Sequence, residues 1–291
     1  MASNYVLTTD SCCDLPNELV NELGLHVIPL SVEIKGKVYH NYPDERYIKT
    51  HDFYEMMREK EVATTSLINV GEFLVFFEPF LKEGKDILYV GFSSALSGTV
   101  QSARIAAEEL KLTYPDRKII VVDSLSASMG QGLLVWYVAK EVASGKSIEE
   151  VALWAENNRL ELCHLFTVDD LGTLRRGGRL SGTAALLGSL LKVKPVLHVS
   201  EEGKLVPIKK ARGRKMSLQV IVDIMAEKIK DPEKQTIFIS HGDDLEHANH
   251  IKDLIESQLG VKSFIVGQIG PVIGAHSGPG TIAVFFLGDP R

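Results

Sequence analysis

Three short apolar runs in this chain each stop at a pair of small polar residues, and this repeated ending constrains the fold more than any other feature. Residues 5–9 stop at Asp10-Ser11, residues 86–92 at Ser93-Ser94, and residues 118–122 at Asp123-Ser124. Continuous apolar runs of this length read as buried strands. A helical pattern follows each of them. Asp14 and Pro16 open the first helix, Val100, Ala103, Ala107 and Leu110 share one face of the second, and Met129–Ala143 forms the third. Alternating strands and helices imply a largely parallel sheet. Ligands bind parallel sheets at the carboxyl ends of the strands. The three polar endings are therefore expected to converge on one site.

Between these units, residues 26–34 alternate as a strand. Lys35-Gly36-Lys37 turns, and Val38, Tyr39 and His40 return as a small hairpin inserted near residues 32–42. Residues 52–60 and 70–81 read as helices, with a polar loop over 64–69. Ser147 and Glu150 fit a capping box for one more helix.

The second half reads differently. A strand over 164–168 runs into the loop LGTLRRGGRLSG, and a short helix is expected over 184–191. Strands over 195–200 and 204–209 flank Glu201-Glu202-Gly203, a hairpin pattern. An amphipathic helix over 214–230 places Ile221, Ile224, Met225 and Ile229 together. Strands over 236–240, 264–266 and Ile282–Leu287, with a helix over Leu245–Leu259, complete it. The fold class is α/β. A mostly parallel α/β domain over residues 1–162 is followed by an α+β domain over 163–291 with a mixed or antiparallel sheet.

Composition narrows the function. With 291 residues, 45% hydrophobic and 24% charged, the chain is long enough for two domains and too apolar for disorder. Its opening, MASNYVLTTDS, lacks a basic region followed by an apolar one, so no signal peptide is expected. The longest apolar run, near 281–287, is strand-sized, so no integral membrane association is expected. Cys12, Cys13 and Cys163 make a poor disulfide framework and fit reduced thiols in a cytoplasmic protein. Net charge is −6, yet residues 171–215 hold eleven Lys or Arg against Glu201 and Glu202, a local +9. Such a zone steers an anion or an acidic partner, or else is a solvated face with local ion pairs.

Four segments carry candidate chemistry. In GFSSALSGT (91–99), hydroxyls and free amides precede a helix, an arrangement suited to an anion. The bland alternative is ordinary serine capping. The segment is not a G-x-S-x-G nucleophile elbow and has no evident paired base. Thr64-Thr65-Ser66 offers three hydroxyls before a helix, alone no more than a cap. GPVIGAHSGPG (270–280) is a glycine- and proline-fixed turn with His276 at its centre, where an imidazole serves binding or titrates near neutrality. LRRGGRLSG (174–182) suits docking to a protein or phosphate. Without interleaved aromatics on an acidic chain, it does not suit nucleic acid. Asp10, Asp123, Asp169, Asp170, Asp243 and Asp244 lie on separate segments without ligand spacing. Neither a metal nor a cofactor is predicted.

Taken in order, these segments resemble the DegV family along nearly the whole chain. The matching residues are Asp10-Ser11, Thr65-Ser66, F-S-S-x-L-S-G-T (92–99), Asp123-Ser124, L-x-x-L-R-R-G-G-R (171–179), K-P-V-L (194–197), R-x-R-K (212–215) and G-x-H-x-G-P-G (274–280). The resemblance implies a long-chain fatty acid bound in a tunnel between the two domains. It also implies a carrier subunit, not itself an enzyme, that presents the carboxylate to an ATP-dependent fatty acid kinase subunit for acyl-phosphate formation. By it, Thr65, Ser93, the Ser94 amide and His276 hold the carboxylate. Ser66, Asn69, Ser97 and Gly278 support the loops, and Arg176 and Arg212 meet the kinase. Where the family often reads T-S-Q-P-S, this chain reads Thr65-Ser66-Leu67-Ile68-Asn69. Asn69 can still hydrogen-bond in place of the last serine. Two other classes remain: a hydrolase using Ser93 and His276, and a regulatory interaction module built on the basic loop.

Overall fold

The computed structural model describes residues 4–181 and 193–291. The helix expected over 184–191 lies outside them, as does Lys192. Elements run in the order β1 (Tyr5–Asp10), a single 3-10 turn (Ser11–Cys13), α1 (Asn17–Glu22), β2 (His26–Ile28), β3 (Ser31–Ile34) and β4 (Lys37–His40). Then come α2 (Thr50–Arg58), β5 (Thr64–Ser66), α3 (Val70–Lys82), β6 (Asp86–Gly91), α4 (Thr99–Thr113), β7 (Ile119–Asp123), α5 (Met129–Ala143) and α6 (Ile148–Asn158). The second half holds β8 (Leu162–Thr167), α7 (Leu171–Arg176), β9 (Val193–Val199), β10 (Leu205–Arg212), α8 (Arg214–Lys228), β11 (Thr236–His241), α9 (Leu245–Leu259), β12 (Ser263–Gln268), α10 (Pro271–Ser277) and β13 (Ile282–Leu287).

The first sheet is parallel, in the order β2-β1-β6-β7. The three strands with polar endings are thus neighbours, and their carboxyl ends lie side by side. The second sheet runs β10-β9-β8-β13-β11-β12, antiparallel except for β11 with β12. Both match the expected α/β class with a mixed, mostly antiparallel second sheet.

Local expectations change at two places in the first half, and in the second half the loop expected from Leu171 begins as the short helix α7. The strand expected over 26–34 breaks into β2 and β3 around Pro29, which has no N–H to give a ladder. β2 stays on the edge of the first sheet while β3 leaves to form a small sheet, β4-β3-β5. The Ser11 hydroxyl takes the Leu30 amide at 3.0 Å and so satisfies the break. The polar loop expected over 64–69 is in its first half a strand, with Thr65 opposite Val32.

Helix α5 joins the two main sheets. It is buried on most sides, with Leu133, Leu134, Val135 and Val138 fully enclosed, as a helix between two layers must be. One apolar cluster continues from Leu7 and Val90 through α5 to Phe238 and Phe285. A second fills the outer face of the six-stranded sheet under α8 and α9. Polar ties cross the same boundary. Asp14 accepts the Ser128 hydroxyl at 2.6 Å and the Gly270 amide at 3.0 Å, and the Tyr54 hydroxyl donates to the Ile269 carbonyl at 3.0 Å. Among the described residues, no helix is long and apolar enough to cross a membrane.

Burial pushes the Asp14 carboxyl up to about 7, although the hydrogen bonds from Ser128 and Gly270 oppose the shift. The folded state therefore holds this proton more tightly than the unfolded chain does. That stabilisation is complete below the ordinary carboxylate range and is lost as pH rises through about 7. Wild type should lose stability relative to Asp14→Asn between mildly acidic and mildly alkaline pH, by at most ~1.4 kcal/mol per pH unit. Urea unfolding of both proteins across that range checks this; parallel curves would show that Asp14 stays ionised.

Candidate functional site

The strand ends converge as expected but use most of their polarity on one another. Asp10 is fully buried and accepts from the Cys12 amide (3.0 Å), the Tyr89 hydroxyl (2.6 Å) and the Phe92 amide (2.9 Å). Burial raises its carboxyl above the ordinary range, and these donors pull it back. Asp123 accepts from the Ser94 amide at 3.2 Å and the Leu125 amide at 3.0 Å. The Ser93 hydroxyl, fully buried, donates to the Gly203 carbonyl at 2.9 Å. Gly203 lies at the tip of the β9–β10 hairpin, so Ser93 ties the first sheet to the second.

A cavity of about 200 Å³ opens beside these ends, between the two main sheets. Leu30, Phe92, Leu96, Val199, Val272 and Ile273 give it a mostly apolar wall. Its polar end is built by elements far apart in sequence. β5 carries Thr65 and Ser66. The segment 270–280, expected as a turn, forms a short helix, α10. Pro271 sits in its first turn, where its missing N–H costs nothing, and Gly278 at φ +83° ends it. His276 on that helix places Nε2 2.8 Å from the Thr65 hydroxyl oxygen. The structure thus brings Thr65, Ser66, Ser97 and His276 to the cavity wall.

Ser93, Ser94 and Asn69 do not line it. Asn69 instead caps α3, accepting from the Glu72 amide at 3.1 Å while Glu72 reaches back to its own amide. Asn is among the side chains most favoured at a helix N-cap. Ser97 also spends its oxygen locally, on the Thr99 amide and hydroxyl. Gly278 turns the chain and gives its carbonyl to the Thr281 hydroxyl at 2.9 Å. Arg212 is exposed at the end of β10, away from the cavity wall.

His276 is neutral. Burial, with the Arg179 guanidinium nearby, lowers its pKa to about 4. Its Nδ1 is buried without a hydrogen-bond partner among the described residues and faces the backbone of Gly177. A β-carbon on Gly177 would stand 2.3 Å from that nitrogen. The Arg-Arg-Gly-Gly-Arg segment is thus shaped at one glycine by the imidazole it packs against. Its first two arginines close helix α7.

Thr65, Arg179 and His276 also line a second cavity of about 230 Å³ on the outer side, together with Thr173, Arg176 and Gly177. Arg179 donates to the Leu96 carbonyl at 3.2 Å and to the Gly177 carbonyl at 2.6 Å, which fixes its charge between the two cavities. In sequence Arg179 belonged to the basic zone and to the Arg-Arg-Gly-Gly-Arg docking segment, with no part in the cavity. The glycines before it were the available signal for close packing. His164 also reaches the apolar cavity and was read only as part of a strand. Elsewhere, His51, Glu55 and Asp243 approach one another, but Arg58 already pairs with both acids.

Comparison with known proteins identifies the family. A family model described as an uncharacterised protein of the DegV family matches residues 5–289. The chain belongs to the DegV family. A DegV domain-containing protein of Clostridium perfringens is 45% identical over 287 residues, covering 99% of this chain and 98% of that one. The solved structure described as fatty acid binding of a DegV family protein from Thermus thermophilus superposes with a TM-score of 0.87 at 32% identity, covering 97% and 98%. The structure of DegV, a fatty acid binding protein from Bacillus subtilis, gives 0.83 at 31% identity, covering 97% and 98%.

Gly177→Ala should displace the imidazole from Thr65 and destabilise the fold by about 1–3 kcal/mol, the usual cost of overpacking. The His276 ring signals in an NMR spectrum should shift with it. An unshifted ring would mean that α7 moves instead and that Gly177 is not shaped by His276.

Proposed function

We propose that this protein is a carrier that binds one long-chain fatty acid in the apolar cavity, with the carboxylate at the Thr65–His276 end. One observation carries the reading. The Thr65–His276 pair stands where an apolar cavity meets an outer cavity bordered by Arg176 and Arg179. An acyl tail enclosed on one side leaves its head group facing the other. Each buried methylene contributes roughly 0.8 kcal/mol, so a sixteen-carbon tail supplies on the order of 10 kcal/mol before the costs of association.

The head-group chemistry fits a carrier. A carboxylate inside the protein needs donors or a nearby charge. With the neutral His276 imidazole giving its Nε2 proton to the Thr65 oxygen, the Thr65 hydroxyl is free to donate to the carboxylate, and the Arg179 guanidinium supplies a charge at short range. The fatty-acid-binding relatives from Thermus thermophilus and Bacillus subtilis share this fold at over 30% identity. Ser93 and the Ser94 amide join the head-group site only if they leave Gly203 and Asp123. In this reading the units 1–162 and 163–291 form the two walls, and the carrier has no turnover of its own. It hands the carboxylate to an ATP-dependent kinase subunit that docks on the basic face around Arg176 and Arg212. That face keeps its charge: Lys194 and Arg214 pair with Asp169 and Lys204 with Glu202, while Arg175, Arg176, Lys209, Lys210, Arg212 and Lys215 have no ion pair among the described residues. A hydrolase reading built on Ser93 and His276 finds less support, because His276 bonds Thr65 and Ser93 bonds a carbonyl, so these two do not form a nucleophile–base pair.

Mass spectrometry of lipid extracted from purified protein should find a monocarboxylic acyl chain. Thr65→Ala should weaken its binding by about 1–3 kcal/mol, the cost of leaving a charged acceptor short of a donor. An extract without fatty acid, even after loading, would sink the carrier reading.

Charge reversal at Arg176 together with Arg212 should leave fatty-acid affinity nearly unchanged and slow phosphorylation by the kinase subunit. Added salt should slow wild type in the same direction, because steering by exposed charge is screened over about 10 Å. Loss of lipid with normal docking would put the arginines in the pocket.

A further inference from the structure

A buried histidine, His164, lines the apolar cavity. Strand β8 leads at its carboxyl end into α7, whose Gly177 packs on His276. Strand β13 begins just after α10, where the Thr281 hydroxyl donates to the Ser277 carbonyl at 3.0 Å. The paired ends Thr167 and Ile282 therefore lie on the head-group side. Moving away from it, the register pairs Phe166 with Ala283, Leu165 with Val284 and His164 with Phe285. Phe166, Ala283, His164 and Phe285 line the cavity, whereas the next pairs, out to Leu162 with Leu287, do not. His164 and Phe285 are thus the last wall residues on these strands, three residues or roughly 10 Å along them from Thr167 and Ile282.

The imidazole is held on three sides. Its Nδ1 lies 3.0 Å from the Leu162 carbonyl, which can only accept, so Nδ1 carries the proton. The ring meets Phe285 edge-on, with centroids 5.4 Å apart at 88°. Its Nε2 rests on Gly130, where a β-carbon would stand 2.0 Å away. His164 is 2% exposed, and Nε2 has no hydrogen-bond partner among the described residues. Burying that lone pair is a standing cost that an apolar side chain would avoid.

We propose that His164, backed by Phe285 and seated on Gly130, is the stop that sets the longest acyl chain the cavity accepts. This rests on the fatty-acid reading of the same cavity. A ring fixed on three sides cannot swing aside for a longer tail, so the length limit is sharp rather than gradual. Because the ring is neutral, burial having driven its pKa well down, a terminal methyl group can pack on it without stripping water from a charge.

The test loads wild type, His164→Ala and His164→Val with an equimolar mixture of saturated fatty acids of graded length, then identifies the retained acids by mass spectrometry. Circular dichroism selects the folded variants, and valine keeps a strand-forming side chain in case alanine fails to fold. Each folded variant should retain longer acids than wild type does, favouring an acid two carbons past the wild-type limit by on the order of tenfold, from ~0.8 kcal/mol per buried methylene. Should wild type retain no acid, the carrier reading itself fails. If wild type retains acids and the folded variants keep its length profile, or if neither small residue is tolerated and His164→Phe alters no length preference, His164 is not the stop.

Discussion

The carboxylate of Asp10 holds together the ends of the first sheet, and the shape of the cavity follows from it. A buried acid is costly, and here three donors from three places compensate it: the Cys12 amide, the Tyr89 hydroxyl and the Phe92 amide. The Phe92 bond fixes where β6 stops, and hence where Ser93 turns toward the second sheet. Asp123 repeats the device on the neighbouring strand with the Ser94 and Leu125 amides. The strand ends thus become a rigid rim, and the groups of the cavity's polar end come from elsewhere.

They come from a short strand and a short helix at distant points in the chain. Thr65 and His276 are 211 residues apart in sequence, yet their side chains meet at 2.8 Å. Three backbone features hold the pair. Pro29 splits a long strand and frees β3 to receive β5. Pro271 and Gly278 bound α10. Gly177 leaves room for the imidazole. The result is a neutral hydroxyl–imidazole pair on the cavity wall with one guanidinium beside it.

Much of this was legible in sequence because it depends on local rules. Apolar runs, helical spacing and capping residues identified α5 and α9 to the residue and placed the capping box at Ser147 and Glu150. The turn expected over 270–280 was misread because α10 is only two turns long, too short for a periodic signal. Asn69, grouped with the site by its place after Thr65-Ser66, proved to be a helix cap, which its side chain favours on local grounds alone.

The sequence by itself determined the strand and helix periods, the proline and glycine breaks, and the charge excess of residues 171–215, since each depends on neighbours a few positions away. Only the tertiary structure decided which hydroxyls face the cavity. Ser93 and Thr65 look alike in sequence, but one meets the Gly203 carbonyl and the other meets His276. It alone decided that His164 lines the cavity, because that placement depends on register against Phe285 and on the absence of a β-carbon at Gly130. Contacts between segments more than a hundred residues apart follow from packing the two sheets around α5, and no local pattern encodes them.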